Sequence, residues 1–334
     1  MLIVQSFAVA VALCVVTMMC WGSHVNALKL LPRSYAFSYY YWDHAIGYLL
    51  LPLVVGLTLG SIGSTGRDLL SDLRQGSLYS YGMAMLGGVV FNLANILLIS
   101  ATRIAGIAVA FPIGLGIAVV EGIVINYIAE PKGNALLIFG GAALITVAII
   151  LDALAYKSMK PKGDAGELKL GVILAVVSGI LMGLFYYLVQ RSLSFSFREL
   201  DPGRFGPYAA TLIFSLGLFA SNFIYNSYLM AHPFSGSAVK YSGFFSKGMS
   251  KLHLIGILGG LINATGMLSN IAASKTASPA IAYGLGQGGT MVAAIWGVFV
   301  WKEFKGATRS TYMLIAVMFC LFVSGLALLI ASML

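Results

Sequence analysis

The sequence predicts an all-α membrane protein with ten transmembrane helices arranged as two inverted five-helix repeats. Hydrophobic residues make up 59% of the chain and charged residues 9%, whereas soluble domains carry roughly 25% charged residues. The apolar runs reach the length of about 20 residues that a helix needs to cross a hydrocarbon layer. In addition, a stretch late in the chain repeats an earlier one. The composition excludes a soluble domain.

The internal repeat joins the stretch that begins at Gly87 to the stretch that begins at Gly259. The alignment sets these residues against each other, with a one-residue slip only before the last pair: Gly87 and Gly259, Gly88 and Gly260, Arg103 and Lys275, Gly114 and Gly286, Glu130 and Glu303. Chance similarity is the alternative, since small residues recur in membrane helices. The agreement of glycine pairs, a basic turn residue and one offset favours duplication.

Apolar runs broken by charged or Pro/Gly-rich loops predict the ten spans. They are 3–30, 38–60, 78–100, 104–129, 134–156, 168–190, 207–230, 252–273, 277–301 and 310–332. The chain then divides into a first repeat over 1–156, a cytoplasmic linker over 157–167 and a second repeat over 168–334. Because each repeat has an odd number of spans, the two cross the membrane in opposite senses. Many secondary transporters have this design, with the substrate site near the midplane between the halves.

The N-terminal run is the first span rather than a signal peptide, because no basic segment precedes it and the apolar run continues past Trp21. Cys14, Cys20 and Cys320 lie within apolar runs and form neither a disulfide framework nor a metal cluster. The net charge of +9 lies in short loops, which indicates membrane topology rather than a nucleic-acid partner.

The distribution of Lys and Arg orients the chain. One side of the membrane receives thirteen: Lys29, Arg33, Arg103, Lys157, Lys160, Lys162, Lys169, Lys240, Lys247, Lys251, Lys302, Lys305 and Arg309. The other receives seven: Arg67, Arg74, Lys132, Arg191, Arg198, Arg204 and Lys275. The excess of positive charge predicts that the first group is cytoplasmic. We therefore expect a multi-pass protein of the plasma or inner membrane with both termini outside.

Ionisable groups inside the spans are the first candidates for chemistry, because each is costly unless paired or hydrated. Glu121 lies within the fourth span and is the leading proton-coupling candidate, since desolvation favours a protonated carboxyl; a permanently hydrogen-bonded Glu is the alternative. Asp43 is the second candidate. It precedes His44 in YYYWDHAIG, where acid and imidazole could relay a proton, but an Asp near a helix N-terminus also favours the helix dipole.

Neutral polar and aromatic side chains are the predicted substrate contacts: Asn92, Asn95, Asn222, Asn226, Tyr225, Tyr283, Gln287 and Trp21. Asn92 and Asn95 share a helix face, as do Asn222 and Asn226. Amides both donate and accept, which suits an uncharged ligand rich in hydroxyls, ureas or ring amides, and Tyr and Trp stack on planar rings. The alternative for each amide is a bond between helices.

No motif predicts a cofactor or a bound metal. The glycine runs contain no phosphate loop, and the chain has no HExxH, GxSxG or metal-ligand spacing. Transport energy would therefore come from an ion gradient, of protons or alternatively of sodium. Pro112 within the fourth span is expected to kink that helix.

The chain resembles the drug/metabolite transporter superfamily and, within it, the ureide permease family, which is related to bacterial glucose/ribose and rhamnose permeases. The resemblance lies in Trp21-Gly22 followed by Lys29, in the stretches 83–109, 116–127 and 293–312, and in Trp42-Asp43 at the start of the second span. It implies proton-driven import of allantoin, uracil and related ureides or nucleobases. Phe111 stands where the family pattern has a carboxylate, so either Glu121 takes over that role or the substrate differs.

We thus expect a non-enzymatic secondary transporter that works by alternating access on a small neutral polar metabolite, as a monomer or homodimer in the lipid bilayer. A sugar–proton symporter and a metabolite exporter of the same fold are the alternatives. An intramembrane enzyme using Asp43 and His44 would need a nucleophile or metal site, and the sequence contains no motif for one.

Overall fold

The computed structural model describes residues 1–32, 34–159, 165–233, 237–246 and 250–334. Within these ranges the chain is helical apart from turns and an isolated β-bridge between Leu193 and Phe205. The helices are α1 (Phe7–Ser23), α2 (Phe37–Leu57), α3 (Leu69–Gln75), α4 (Leu78–Ala105), α5 (Ile107–Ala129), α6 (Ala135–Ser158), α7 (Ala165–Ser192), α8 (Pro207–Ala231), α9 (Tyr241–Phe244), α10 (Ser250–Ala277), α11 (Pro279–Gly286), α12 (Gly289–Ile295) and α13 (Arg309–Ala331). A 3₁₀ segment, His24–Leu30, extends α1.

Eight segments in the described ranges are long and apolar enough to cross a membrane: Phe7–Leu30, Leu78–Ala105, Val109–Ala129, Ala135–Ser158, Leu168–Ser192, Pro207–Ala231, Ser250–Ala277 and Arg309–Ala331. They confirm that the protein is an all-α, multi-pass membrane protein. Helix α2, which fills the second predicted span, begins with a polar and aromatic turn, YYYWDH. Part of the predicted linker, at 160–164, and the basic residues Arg33, Lys160, Lys162 and Lys247 of the topology count lie outside the described residues.

The ninth predicted span is not one continuous helix. Ser278 caps α11, which ends at Gly286; α12 begins three residues later and runs into a π-helical turn, Trp296–Val300. Glycine weakens a helix interior because it has the most backbone freedom to lose. The cluster of Gly284, Gly286, Gly288 and Gly289 accounts for the interruption.

The two ends of the helix bundle are distinguished by their contacts. Both chain termini lie at one end, which we call the terminal side: the Met1 amino group donates to the Thr65 carbonyl, and Asn134 N–H donates to the Ser332 carbonyl. The opposite end, called the basic side, holds Lys29, Arg103, Lys157, Lys302 and Arg309 of the larger basic group.

Two groups of three segments dominate the packing. The first bundle consists of α4, α5 and α7, which pack against one another; the second consists of α1, α10 and the α11–α12 segment. Helix α2 packs on α10 and α8 packs on α4, α2 and α8 pack together, and α6 lies against α13. Each of these contacts has a counterpart in the other half of the chain. The corresponding segments are α1 and α7, α2 and α8, α4 and α10, α5 and α11–α12, and α6 and α13.

The closest approaches use glycine, because only a residue without Cβ lets two helix backbones touch. A Cβ added at these four glycines would lie within 2.2 Å of a carbonyl oxygen of the facing helix: Gly47 (2.1 Å from Ile257 O), Gly217 (2.2 Å from Met85 O), Gly260 (2.0 Å from His44 O) and Gly88 (1.9 Å from Phe214 O). The first and third join α2 to α10, and the others join α8 to α4 in the same manner. The aligned glycines of the sequence repeat thus make matching contacts.

Candidate functional site

A cavity between the two halves of the chain is the candidate binding site. It receives side chains from the 3₁₀ segment that extends α1 and from α2, α4, α8 and α10. Its polar lining consists of His24, Tyr40, Tyr41, His44, Asn95 and Asn263. No Lys, Arg, Asp or Glu is among the described lining residues. Such a surface suits an uncharged ligand with a planar, partly polar ring.

The centre of the lining is the imidazole of His44. Tyr41 and Tyr48 lie nearly parallel to this ring, at interplanar angles of 25° and 15° with both centroids 5.9 Å away. His24 approaches edge-on at 5.6 Å. Asn263 Nδ2 lies 3.2 Å from His44 Nε2, so the amide of α10 and the imidazole of α2 meet at the cavity.

A buried amide network stands behind Tyr41. The Tyr41 hydroxyl donates to Asn92 Oδ1 over 2.9 Å, and Asn92 Nδ2 donates to Ser221 Oγ over 2.8 Å and reaches Asn222 Oδ1 at 3.3 Å. Asn222 Nδ2 in turn lies 3.4 Å from the Tyr41 carbonyl. Asn92 and Asn222 are fully buried and do not line the cavity. These two amides therefore hold the Tyr41 side chain in its orientation.

Asn95 is the predicted substrate contact that does line the cavity. Its Nδ2 donates to the Phe91 carbonyl over 3.1 Å, and no described residue donates to its Oδ1. Asn226 donates to the Ser38 carbonyl over 2.9 Å, and Tyr225 packs beside Tyr41, so both lie where α8 meets α2 and its N-terminus.

Three further predicted contacts lie away from the cavity lining. The Tyr283 hydroxyl donates to the carbonyls of Ala118 (3.1 Å) and Met182 (3.0 Å), which joins α11 to α5 and α7. Gln287 is buried at the interruption between α11 and α12. The Trp21 indole packs over Gly266 and Gly286, and its Nε1 has no hydrogen-bond partner in the described part of the chain.

The two predicted proton-coupling carboxylates have different surroundings. Asp43 is 1% exposed; it accepts a hydrogen bond from the Tyr35 hydroxyl (2.7 Å) and pairs with His253 Nδ1 (2.8 Å). His253 Nε2 faces the Phe244 carbonyl at 2.9 Å. Asp43 thus pairs with a histidine of α10 rather than with the adjacent His44.

Glu121 is half-buried on α5 against α7, where a Cβ on Gly183 would lie 3.0 Å from its carboxyl carbon. No described residue forms a hydrogen bond to its carboxylate. Neither Glu121 nor Asp43 is part of the cavity lining.

Sequence reasoning did not select His24, Tyr40, Tyr41 and Asn263 as substrate contacts. A signal for part of this set was present: Tyr41, His44 and Tyr48 are spaced by three and four residues, which places them on one helix face. No local pattern indicates that Asn263 of α10 meets this face, since that contact depends on how α2 packs against α10.

Aromatic side chains close the cavity toward the terminal side. Tyr48, Phe91, Phe185, Tyr186, Phe214 and Tyr283 are buried and form a continuous block, with ring centroids 4.7 to 6.3 Å apart. Beyond it, Lys275 Nζ lies 2.8 Å from Glu130 Oε2 and Lys132 Nζ lies 2.7 Å from Oε1. Burial alone would raise the pKa of Glu130, but Lys275 and Lys132 lower it below its ordinary value.

Comparison with known proteins places the chain. The profile of the ureide permease family matches residues 40–166 and 158–332. Ureide permease 2 and ureide permease 4 of Arabidopsis thaliana are 25% and 24% identical to it, and each alignment covers 99% of both chains. A protein of Listeria innocua described as a candidate sugar uptake protein is 23% identical over 79% of this chain and 84% of its own.

One solved crystal structure matches with a TM-score of 0.61 and covers 96% of this chain and 95% of its own. Because the two sequences are 14% identical, this likeness concerns the fold alone. The profile match covers nearly the whole sequence, as do the alignments with the two plant permeases. The chain therefore belongs to the ureide permease family and is a membrane transporter rather than an enzyme.

Proposed function

We propose that the protein carries a small neutral ureide or nucleobase across the membrane, together with protons, by alternating access. The observation that carries this proposal is the uncharged aromatic and amide cavity between the two halves of the chain. Ureide permeases of Arabidopsis thaliana are its relatives over 99% of its length, which supports the ureide class of substrate.

The rings and polar groups of the cavity match a planar amide. Tyr40, Tyr41 and His44 offer faces and edges for stacking. Asn95 Oδ1 can accept from a ring N–H, and the Asn263 amide, which contacts His44 through one hydrogen of Nδ2, has a second hydrogen to donate to a ring carbonyl. A ligand with both groups, such as a cyclic urea, would satisfy both side chains at once.

Alternating access would follow from an inverted repeat of residues 1–156 and 168–334. Two observations support it: every major helix contact has a counterpart in the other half, and Gly88 and Gly260 make equivalent backbone contacts. In this arrangement α2 and the interrupted α11–α12 segment complete ten crossings. The excess of basic residues on the basic side supports a cytoplasmic location for that face, with both termini outside the cell membrane.

Proton coupling is assigned to Glu121 and Asp43. Glu121 has no hydrogen-bond partner among the described residues, so its protonation state is free to follow the surroundings. Asp43 contacts His253 and Tyr35, so a proton arriving at this cluster would change the link between α2 and α10. Glu121 lies on a helix of the first bundle, and Asp43 lies on α2, which packs against α10 of the second bundle.

The test is uptake into proteoliposomes with an imposed pH gradient, using labelled uracil, allantoin and glucose. We expect uracil or allantoin to accumulate and to stop accumulating when the gradient is collapsed. Glu121→Gln and Asp43→Asn should reduce gradient-driven accumulation while leaving exchange at equal pH. Glu199→Gln removes an exposed loop carboxylate and serves as the matched control.

The second candidate is a sugar carrier of the same architecture, which the similarity to the Listeria innocua protein favours. Movement of glucose without uracil or allantoin would refute the ureide assignment and support this alternative. Accumulation that ignores the pH gradient would remove the proton-coupling assignment, and net movement from the basic side outward would identify an exporter.

A further inference from the structure

The two three-segment bundles are joined on the terminal half of the molecule. We count Glu130, which directly follows α5, with the first bundle. In the described residues, every side-chain hydrogen bond between the first and second bundles then lies in this terminal half. The donor–acceptor pairs are Lys275–Glu130 (2.8 Å), Ser274–Gln190 (3.4 Å), Tyr186–Asn270 (3.5 Å), Tyr283–Ala118 (3.1 Å) and Tyr283–Met182 (3.0 Å). The cavity lies between α4 of the first bundle and α10 of the second.

The ion pair in this set has a counterpart in the sequence repeat. The repeat aligns Lys275 with Arg103, and Glu130 with Glu303. Lys275 ends α10 and Glu130 follows α5 on the terminal side; Arg103 ends α4 and Glu303 follows the π-helical turn on the basic side. Exchange of the two halves therefore converts one pair into the other.

The two pairs are in different states. Glu130 and Lys275 are in contact, and the Lys275 side chain is 6% exposed. No described ion pair joins Arg103 to Glu303: the Arg103 guanidinium lies over the Phe37 ring at 4.8 Å, and Glu303 binds Lys29 and Tyr156. In the described residues the Glu130–Lys275 ion pair is formed, and the aligned Arg103–Glu303 pair is not.

We propose that Glu130–Lys275 and Arg103–Glu303 are alternating latches, the first closing the terminal side and the second forming only when the basic side closes. This inference rests on the alternating access proposed above. Each latch joins one bundle to the other, so both cannot be closed while the cavity opens to either side. The present structure is the state with the terminal latch closed.

The surroundings of the terminal latch suit a contact that breaks. A largely buried charge is strongly destabilised when its partner leaves unless water or another polar group replaces it. Next to Glu130 and Lys275 lies a polar cavity lined also by Asn126, Gln190 and Arg191. Asn126 Oδ1 and Gln190 Nε2 are buried there without partners in the described residues, so water entering on opening would satisfy them as well as the separated charges.

The surroundings of Arg103 suit a contact that can form. Arg103 is exposed, and its present contact is with an aromatic ring, an interaction that is weak at exposed sites. Moving Arg103 from Phe37 to the Glu303 carboxylate would exchange this contact for a charge-assisted hydrogen bond. The exchange needs a shift of the end of α4 toward the end of the second bundle, which is the movement that closes the basic side.

The experiment measures access to the cavity without any substrate. In a chain with Cys14, Cys20 and Cys320 replaced by Ala, Ile99→Cys places a thiol in the cavity lining, and its labelling by a water-soluble maleimide from the basic side reports the open state. We expect Glu130→Gln and Lys275→Gln to slow labelling by about tenfold, because removing one latch shifts the population toward the other state. Adding Arg103→Gln should restore the rate, since it weakens the opposing latch.

Two controls keep the result specific. Lys132→Gln removes a partner of Glu130 that follows the same helix and should leave labelling unchanged. The charge-exchanged variant Glu130→Lys/Lys275→Glu should label like the parent, because it rebuilds the pair. If Glu130→Gln fails to slow labelling, or if Arg103→Gln slows it further, the latch proposal is overturned. Absence of ureide transport by the parent protein would instead refute the proposed function, which this assay does not use.

Discussion

The terminal and basic sides of this transporter contain related sequence but differ in how the two bundles meet. On the terminal side, aromatic rings fill the space between the bundles and Lys275 reaches Glu130. On the basic side, Arg103 and Glu303 have partners other than each other, and a cavity separates the bundles. The comparison teaches that two halves with matching helix contacts can still differ in how their charged residues pair at the two sides.

The largest expected effect comes from preventing the terminal side from opening. A short bifunctional thiol reagent that joins Glu130→Cys to Lys275→Cys should abolish transport, since it ties the two bundles together, and cleavage of the linker should restore it. The measurement is uptake before and after cleavage. The pair Glu130→Cys/Lys132→Cys is the control: both residues follow α5, so linking them constrains neither bundle. Retained transport by the cross-linked Glu130/Lys275 pair would mean that this side does not open.

The next effect concerns the framework that both sides share. Gly88→Ala and Gly260→Ala each place a methyl group within 2.0 Å of a backbone oxygen, which should destabilise the fold by about 3 kcal/mol or more. Gly82→Ala meets no atom within 4 Å and should leave stability unchanged. Thermal unfolding in detergent measures the three variants. Unequal losses for Gly88 and Gly260 would show that the two halves do not contribute equally to packing.

A smaller effect should separate binding from closure. Asn263→Leu removes a polar group of the cavity and should raise the KM for the transported substrate by about tenfold, as expected when a ligand acceptor loses its donor. Tyr283→Phe removes two bonds on the terminal side and should lower Tm while leaving KM within about twofold. Uptake kinetics and thermal unfolding distinguish the two. A change of KM in the Tyr283 variant alone would reverse these assignments.

The smallest effect is a pH dependence of the terminal latch. Burial raises the pKa of Glu130, but Lys275 and Lys132 outweigh it and lower this pKa below its ordinary value of 4.5. Arg191 and Arg204 line the same cavity. The ion pair is therefore fully present above pH 4.5 and is lost as the pH falls through the lowered pKa. The labelling rate of Ile99→Cys from the basic side, divided by the rate of the same thiol in Glu130→Gln at the same pH so that the loss of thiolate cancels, should fall by about threefold at that point.

The sequence predicted Asn95, which lies in the cavity lining, because an amide can both donate to and accept from an uncharged ligand. The same argument selected Asn92 and Asn222, and the capacity of an aromatic ring to stack selected Tyr283. These three side chains bond to other helices. Spacing along one helix indicates which residues share a face, but it does not indicate whether a cavity or another helix covers that face.

The sequence alone determined the class of protein, because apolar runs of membrane-spanning length form helices wherever water is absent and backbone groups must bond internally. It also determined the family, through similarity spread over nearly the whole chain. Only the tertiary structure decided that His253 pairs with Asp43 and that Lys275 pairs with Glu130. These partners are more than a hundred residues apart, and their contact depends on how helices pack around glycines, which no local pattern encodes.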